Sequence, residues 1–294
     1  MCAAMKELAA RKGWDMSLKD IFVWVDFSCI PQANPSMQNL AIRSLAAYAT
    51  SATNFIIVAP DTPHAELDTI CDLGTYQRRM WCRAEQVCHS MRNGTNGMYL
   101  AKGTEGSLHP VPDDFFFGES LHVFNGELTC CRLEHKGHGY CDRQSLVIPL
   151  LGLYGELYRA SHDLDVSKGE NKNHDAVQSV DTFLKEIEKH QETVFPRTFS
   201  RVMWRNNKKV EEEVLLFGDL IDRMKARIDS GVGFTVDDDL AGGTDVSKGS
   251  SYVRHGGSDF LRHGSSIVHG SGGSKGGVMQ GMISVRKLPE QATH

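Results

Sequence analysis

The stretch Tyr76-Gln77-Arg78-Arg79-Met80-Trp81-Cys82-Arg83-Ala84-Glu85 decides how the chain reads. Its periodicity predicts an amphipathic helix. Thr75 ahead of it is a suitable N-cap, because its hydroxyl can accept a backbone N–H that a helix start leaves orphaned. Tyr76, Met80, Ala84, Val87 and Met91 recur at helical spacing and predict a buried face. Trp81 and Glu85 are one turn apart and neighbour each other on the adjacent face. The pair has two readings. Either it sits at the mouth of a cleft, or Trp81 is a core anchor and Glu85 a solvated acid pairing with Arg78, His89 or Arg92.

Upstream, Ile21-Phe22-Val23-Trp24-Val25-Asp26-Phe27 is a continuous apolar run that predicts a strand buried on both faces, with Asp26 near its carboxyl end. Ser28-Cys29-Ile30-Pro31-Gln32-Ala33 reads as a loop, and Asn34-Pro35 as a helix start with Asn as N-cap. Ala41, Leu45, Tyr48 and Ala52 keep helical spacing. Phe55–Ala59 predicts a second strand and Gly97–Ala101 a third. Strands alternating with helices predict parallel β-α-β units, whose ligands bind beyond the carboxyl ends of the strands. The Asp26–Pro35 loop and the start of the Trp81–Glu85 helix both fall at that edge. A short amphipathic helix carrying Met5, Leu8 and Ala9 and ending near Gly13 precedes the first strand.

Downstream, Asn125-Gly126 between Leu121–Phe124 and Glu127–Cys131 predicts a β-hairpin. A helix is expected from about Asp142, with Leu146, Leu150, Leu153 and Leu157 on one face and a kink at Pro149. Another follows Asp175, with Val180, Leu184 and Ile187 together. Val210, Val214, Phe217, Ile221, Met224 and Ile228 form a stripe with coiled-coil spacing, expected to pack against neighbouring helices. Beyond Gly231 the composition turns to Gly, Ser and His and predicts a disordered tail. The expected divisions are an α/β domain over 1–101, a loop and hairpin over 102–141, a helical region over 142–230 and a tail over 231–294.

With 294 residues, 40% hydrophobic and 23% charged, the chain can bury a sizeable core. A net charge of -5 gives no basic signal for nucleic acid. The 8 cysteines are too sparse for a disulfide scaffold and read as free thiols. Met1–Trp14 has no apolar signal region, and no run is long enough to span a bilayer. A cytoplasmic location is expected, without membrane or nucleic-acid partners.

Three separated pieces carry a resemblance: Val23-Trp24-Val25-Asp26 with Ile30-Pro31-Gln32, the strand Phe55–Ala59, and Tyr76 through Trp81-Cys82 to Glu85. Together they resemble TIR-like domains of the Trp-Cys-x-x-Glu type, related in look to fungal heterokaryon-incompatibility domains. The resemblance covers roughly the first hundred residues and is moderately specific, because order and spacing agree across three elements. It implies a flavodoxin-like parallel sheet, a signalling role through self-association, and cleavage of the nicotinamide–ribose bond of NAD. It places the catalytic residue at Glu85 and the gating loop at Phe27–Ser36. Trp81, Asp26, Ser28, Cys29, Pro31 and Gln32 are then the substrate-binding candidates. NAD would be substrate, with no resident cofactor and no metal. The family begins with a strand and loop ahead of the first helix. This chain begins in that helix, so the expected sheet lacks its first strand and carries a gap.

The chemistry is coherent. Breaking that bond develops positive charge on the sugar, which a nearby carboxylate stabilises. An aromatic ring can stack on a base or exclude water. Two readings compete with catalysis. One is a non-catalytic interaction module of the same fold. The other is a metal-stabilised domain built on Cys130, Cys131, His135, His138 and Cys141, a spacing that matches no standard zinc arrangement.

Overall fold

The computed structural model describes residues 1–14, 21–31, 33–64, 68–103, 105–136, 141–166, 174–231 and 281–287. The N-terminal part runs α1 (Cys2–Lys12), β1 (Ile21–Val25), α2 (Asp26–Cys29), α3 (Pro35–Arg43), α4 (Leu45–Ser51) and β2 (Asn54–Val58). A small ribbon of β3 (Thr62–Pro63) and β4 (Ile70–Cys71) leads into α5 (Leu73–Arg78) and α6 (Met80–Asn93). Then come β5 (Met98–Lys102) and β6 (Ser107–Pro110), single 3-10 turns at 113–116, 119–121 and 123–125, and α7 (Thr129–Arg132). The remainder is α8 (Asp142–Ser145), α9 (Val147–Val166), α10 (His174–Lys189), α11 (Gln191–Val194), β7 (Thr198–Arg205), β8 (Lys208–Leu215), α12 (Leu220–Asp229) and β9 (Gly281–Lys287).

The main sheet has the order β1-β9-β2-β5-β6. β2 and β5 are parallel, with Phe55 opposite Met98 and Val58 opposite Ala101. β9 is antiparallel to both β1 and β2, so β1 and β2 point the same way across it. The three expected strands therefore exist and share a direction, but the sheet is mixed rather than parallel. The expected gap is closed. The slot between β1 and β2 holds β9, a segment that composition assigns to the tail. Its Val285 is fully buried, opposite Val23 on one side and Asn54 on the other. The rest of the tail, 232–280 and 288–294, lies outside the described residues.

Side chains alternate across the sheet. Ile56, Val58, Ala101, Leu108 and Val285 pack under Ala4 and Leu8 of α1. Phe55, Ile57 and Leu100 face the other way, into a larger core with Ala49 of α4 and Val87 of α6. That core continues without a break through Leu150 and Tyr154 of α9 to Phe217 and Met224, so α6 is sandwiched between the sheet and the helical half.

Local chemistry explains the element ends. Asn34 Oδ1 accepts the N–H groups of Ser36 and Met37, each at 3.1 Å, and Pro35 opens α3. Gly13 ends α1 with φ 62, a conformation that suits glycine. The N-cap before the Trp81 helix is Asp72 rather than Thr75. Thr75 is the third residue of α5, and the two close a reciprocal capping box. The predicted single helix is also two, because the backbone breaks at Arg79. There the Met80 N–H donates to the Glu127 carbonyl at 3.0 Å, and the Glu127 N–H donates to the Arg78 carbonyl at 2.6 Å.

Three other expectations change. The Asn125-Gly126 hairpin does not form. Residues 123–125 are a 3-10 turn, Thr129–Arg132 is helical, and Gly126 has ordinary extended dihedrals. Gly126 serves close approach instead, since a Cβ there would stand 2.4 Å from Met80 Cα. The hairpin of this half is β7–β8, turning at Asn206 (φ 50) and Asn207 (φ 60), the pair of positive φ values that a tight antiparallel turn requires. Val210 and Val214 therefore belong to a strand, and the coiled-coil stripe survives only in α12. Pro149 sits in the first turn of α9 rather than its interior, where no N–H is missed and a proline demands no kink.

Candidate functional site

The expected buried face of α6 is present: Tyr76, Met80, Ala84 and Val87 are fully buried, and Met91 nearly so. Glu85 is buried with them at 3% exposure. The surface-pair reading of Glu85 thus fails, and Arg92 reaches Glu156 instead. The Glu85 Oε2 atom has no hydrogen-bond partner among the described residues. Burial pushes the Glu85 carboxyl well above the usual range, the Asp26 charge pushes it further, and Arg79 opposes both. Burial and the Asp26 charge both favour its protonated form.

Glu85, Asp26, Arg79, Tyr76 and Cys82 form one electrostatic group. The Tyr76 hydroxyl is pushed up by burial, then by the charges of Cys82, Glu85 and Asp26. The Cys82 thiol is raised by burial, which fits a core cysteine rather than a reactive one. The group lies where β1 ends, because Asp26 starts α2 directly after Val25. The α2 turn is closed by the Val25 N–H donating to Cys29 Sγ at 3.3 Å.

The structure brings some of the predicted substrate-binding residues together and leaves others apart. Asp26 joins Glu85 through charge. Ser28 and Cys29 are exposed, Pro31 is half-buried, and Gln32 lies outside the described residues. Trp81 is half-buried and packs against the main core. Burial pushes the Asp142 carboxyl up, and the nearby Trp81 indole opposes that rise. Sequence reasoning does not announce this pairing. Sequence reasoning also does not single out Arg79, whose only signal is the doubled arginine before Trp81.

One turn beyond Glu85, His89 is fully buried. Its Nδ1 is 2.9 Å from the Ala49 carbonyl, and its ring lies 5.0 Å from that of Phe55. Burial lowers it to about 4, so it is a neutral core histidine.

Apart from this group, the fold gathers Cys130, Cys131, His135 and Cys141, whose ligating atoms all lie within 4.8 Å of one another. His138 lies outside the described residues. No helix among the described residues is long and apolar enough to cross a membrane. Comparison of the chain with protein-family models, characterised proteins and solved structures finds no match.

Proposed function

We propose that this chain is a TIR-like signalling domain in which Glu85 is the reactive carboxylate of an NAD-cleaving site. The supporting observation is the state of Glu85: a buried carboxyl, one oxygen without a partner, set between the charges of Asp26 and Arg79 at the end of β1. An unpartnered buried carboxyl is unfavourable for stability and is the kind of perturbed group that active sites hold. In this conformation Glu85 is buried and its protonated form is favoured. Movement of the Asp26–Cys29 turn would admit solvent and substrate, and Glu85 would ionise. Its carboxylate would then stabilise the cationic sugar formed as nicotinamide leaves. Release of nicotinamide from NAD by the full chain, across protein concentrations that span self-association, tests this. Wild type should turn over, and Glu85→Gln should lose activity by orders of magnitude. Equal turnover by the variant removes Glu85 from the mechanism.

A second reading, a self-association module without catalysis, is favoured by one specific observation. β1 ends the sheet among the described residues, and Phe22 (51% exposed), Met37 (49%) and Leu40 (52%) stand out on β1 and α3. Large exposed apolar side chains, together with an open sheet edge, offer surface for self-association. Light-scattering mass of wild type against Leu40→Glu tests it. A concentration-dependent oligomer that the variant loses, with no nicotinamide released, favours the module.

A further inference from the structure

We propose that Cys130, Cys131, His135 and Cys141 bind one zinc-type divalent ion in a closed tetrahedral site.

The distances carry the argument. Cys131 Sγ lies 3.6 Å from Cys141 Sγ and 3.6 Å from His135 Nε2, and Cys130 Sγ lies 3.9 Å from Cys141 Sγ. A tetrahedral ion with metal–sulfur bonds of about 2.3 Å and a metal–nitrogen bond of about 2.0–2.1 Å has S···S edges of about 3.8 Å and S···N edges of about 3.6 Å. These three separations match such edges, and all four ligand atoms lie within 4.8 Å of one another. They are far too long for a disulfide, whose sulfurs stand about 2.05 Å apart.

The histidine is prepared for ligation. His135 is 2% exposed, and its Nδ1 is 2.8 Å from the Val202 carbonyl of β7. A carbonyl can only accept, so Nδ1 carries the proton, and the lone pair of Nε2 is left facing Cys131. Metal-bound histidines are held in this way, with the far nitrogen donating to a carbonyl or carboxylate.

The backbone is bent to make the grouping. The His135 N–H donates to the Cys130 carbonyl and the Glu134 N–H to the Cys131 carbonyl, each at 2.9 Å. This loop holds Glu134 and His135 both at φ 51, a left-handed conformation that non-glycine residues seldom adopt. Such strain persists where surrounding structure enforces it. Charge is also balanced. Three thiolates around a dication leave a net negative charge, and the Arg143 Nη1 sits 2.6 Å from Cys131 Sγ.

The donor set selects the ion. Thiolates with one imidazole favour zinc over hard cations such as magnesium or calcium, which take oxygen ligands. Four protein ligands leave no open position, so the role is structural. The ion would pin α7, the start of α8 and the β7–β8 hairpin at one point.

The test uses the purified full chain. Elemental analysis should find about one zinc per chain, as a four-ligand site requires. Replacement by cobalt(II) should give visible bands of tetrahedral intensity together with thiolate-to-cobalt charge-transfer absorption. Cys130, Cys131 and Cys141 should resist alkylation until a chelator is added, whereas exposed Cys29 should react in both conditions. His135→Cys, which supplies a fourth thiolate, should keep the metal and shift the cobalt spectrum. Cys2→Ser, at another exposed cysteine, should leave the zinc content and the cobalt spectrum unchanged. Protein that neither contains zinc nor takes up zinc or cobalt overturns the proposal. So does alkylation of the three cysteines at the same rate with and without chelator.

Discussion

Gly126 lies directly against the backbone of Met80: a Cβ added to the glycine would stand 2.6 Å from the Met80 nitrogen and 2.4 Å from its Cα. This contact is where the chain after the sheet grips the helix that carries Glu85. The neighbouring bonds between Arg78, Met80 and Glu127 use the backbone groups that the helix break would otherwise leave unpaired. Because the obstruction is backbone, no side-chain rotation relieves it. Gly126→Ala should destabilise the protein by about 1–3 kcal/mol, the usual range for overpacking. Its φ of −70 is open to alanine, so the loss would be steric rather than conformational. The shift in urea midpoint at unchanged slope checks this.

What the sequence reveals depends on how local the cause is. The buried face of α6 and the existence of strands β1, β2 and β5 are legible, because apolar patterning is a local consequence of meeting a core. The expected burial of β1 on both faces does not hold: β1 is the sheet edge among the described residues, with Phe22 51% and Val23 43% exposed. The break at Arg79 is not, since it depends on Glu127 far along the chain. Val210 and Val214 mislead for a plain reason: residues four apart share a side in a helix and in a strand alike. The Asn206-Asn207 pair was the available signal for that hairpin. β9 is a short apolar run in a glycine-rich background, and nothing local says which slot of which sheet it fills. Of the candidate site, the place of Glu85 on its helix is legible. Its burial is not, because arginines and a histidine nearby suggest a charged surface. The metal-type cluster is legible as a set of residues, because Cys130, Cys131, His135 and Cys141 lie close in sequence. Its geometry is not, because the loop that folds His135 back onto Cys131 depends on left-handed residues that composition does not mark.

Glu85 and His89, one turn apart on α6, should tilt the pH dependence of stability in opposite directions. The Glu85 pKa is raised in the folded state. Between an unfolded value of about 4.3 and that raised value, the folded form holds a proton the unfolded form has lost. Its contribution is therefore full below about 4.3 and falls as pH rises. His89 is lowered from 6.5 to about 4. Its contribution is full above 6.5 and falls as pH drops toward about 4, because there the unfolded form takes the extra proton. Each tenfold difference in proton affinity between the folded and unfolded forms corresponds to about 1.36 kcal/mol. Between pH ~4.3 and ~6.5 the two slopes oppose each other in wild type. Glu85→Gln should leave a protein that loses stability as pH falls through that window. His89→Gln should leave one that gains it. Urea midpoints at half-unit pH steps check both signs.

β9 should be indispensable to the sheet. It supplies both ladders of a central strand, and Val285 is fully buried in the core beneath α1. Val285→Ala should destabilise by about 0.5–3 kcal/mol through lost burial and a small cavity. Val285→Asp buries an unpaired carboxylate and should destabilise by more than about 4 kcal/mol. A chain ending before Gly281 should lose cooperative unfolding, since β1 would then have no neighbour in the described sheet. Amide exchange in β1 reads this directly: the alternate N–H groups that face β9 should be protected in the full chain and unprotected in the shortened one.

Trp81 and Asp142 make the remaining testable pair. The Trp81 indole lowers the Asp142 carboxyl against the burial that raises it, and Asp142 opens α8 directly after Cys141. An indole-to-carboxylate bond there would tie the helix of Glu85 to the helical half. If Trp81 were only a stacking surface for a nucleotide, its nitrogen would be dispensable to the fold. Trp81→Phe keeps a ring but leaves a partly buried carboxylate without its donor, so it should destabilise by about 1–3 kcal/mol. Asp142→Asn keeps an oxygen acceptor and should be milder. The double variant Trp81→Phe with Asp142→Leu removes both polar partners together and should recover part of the loss, because no group is then left unsatisfied. Chemical denaturation of wild type, the two single variants Trp81→Phe and Asp142→Leu, and the double variant closes the cycle. Additive effects would show that the two side chains do not depend on each other, and would return Trp81 to the role of a simple core or stacking ring.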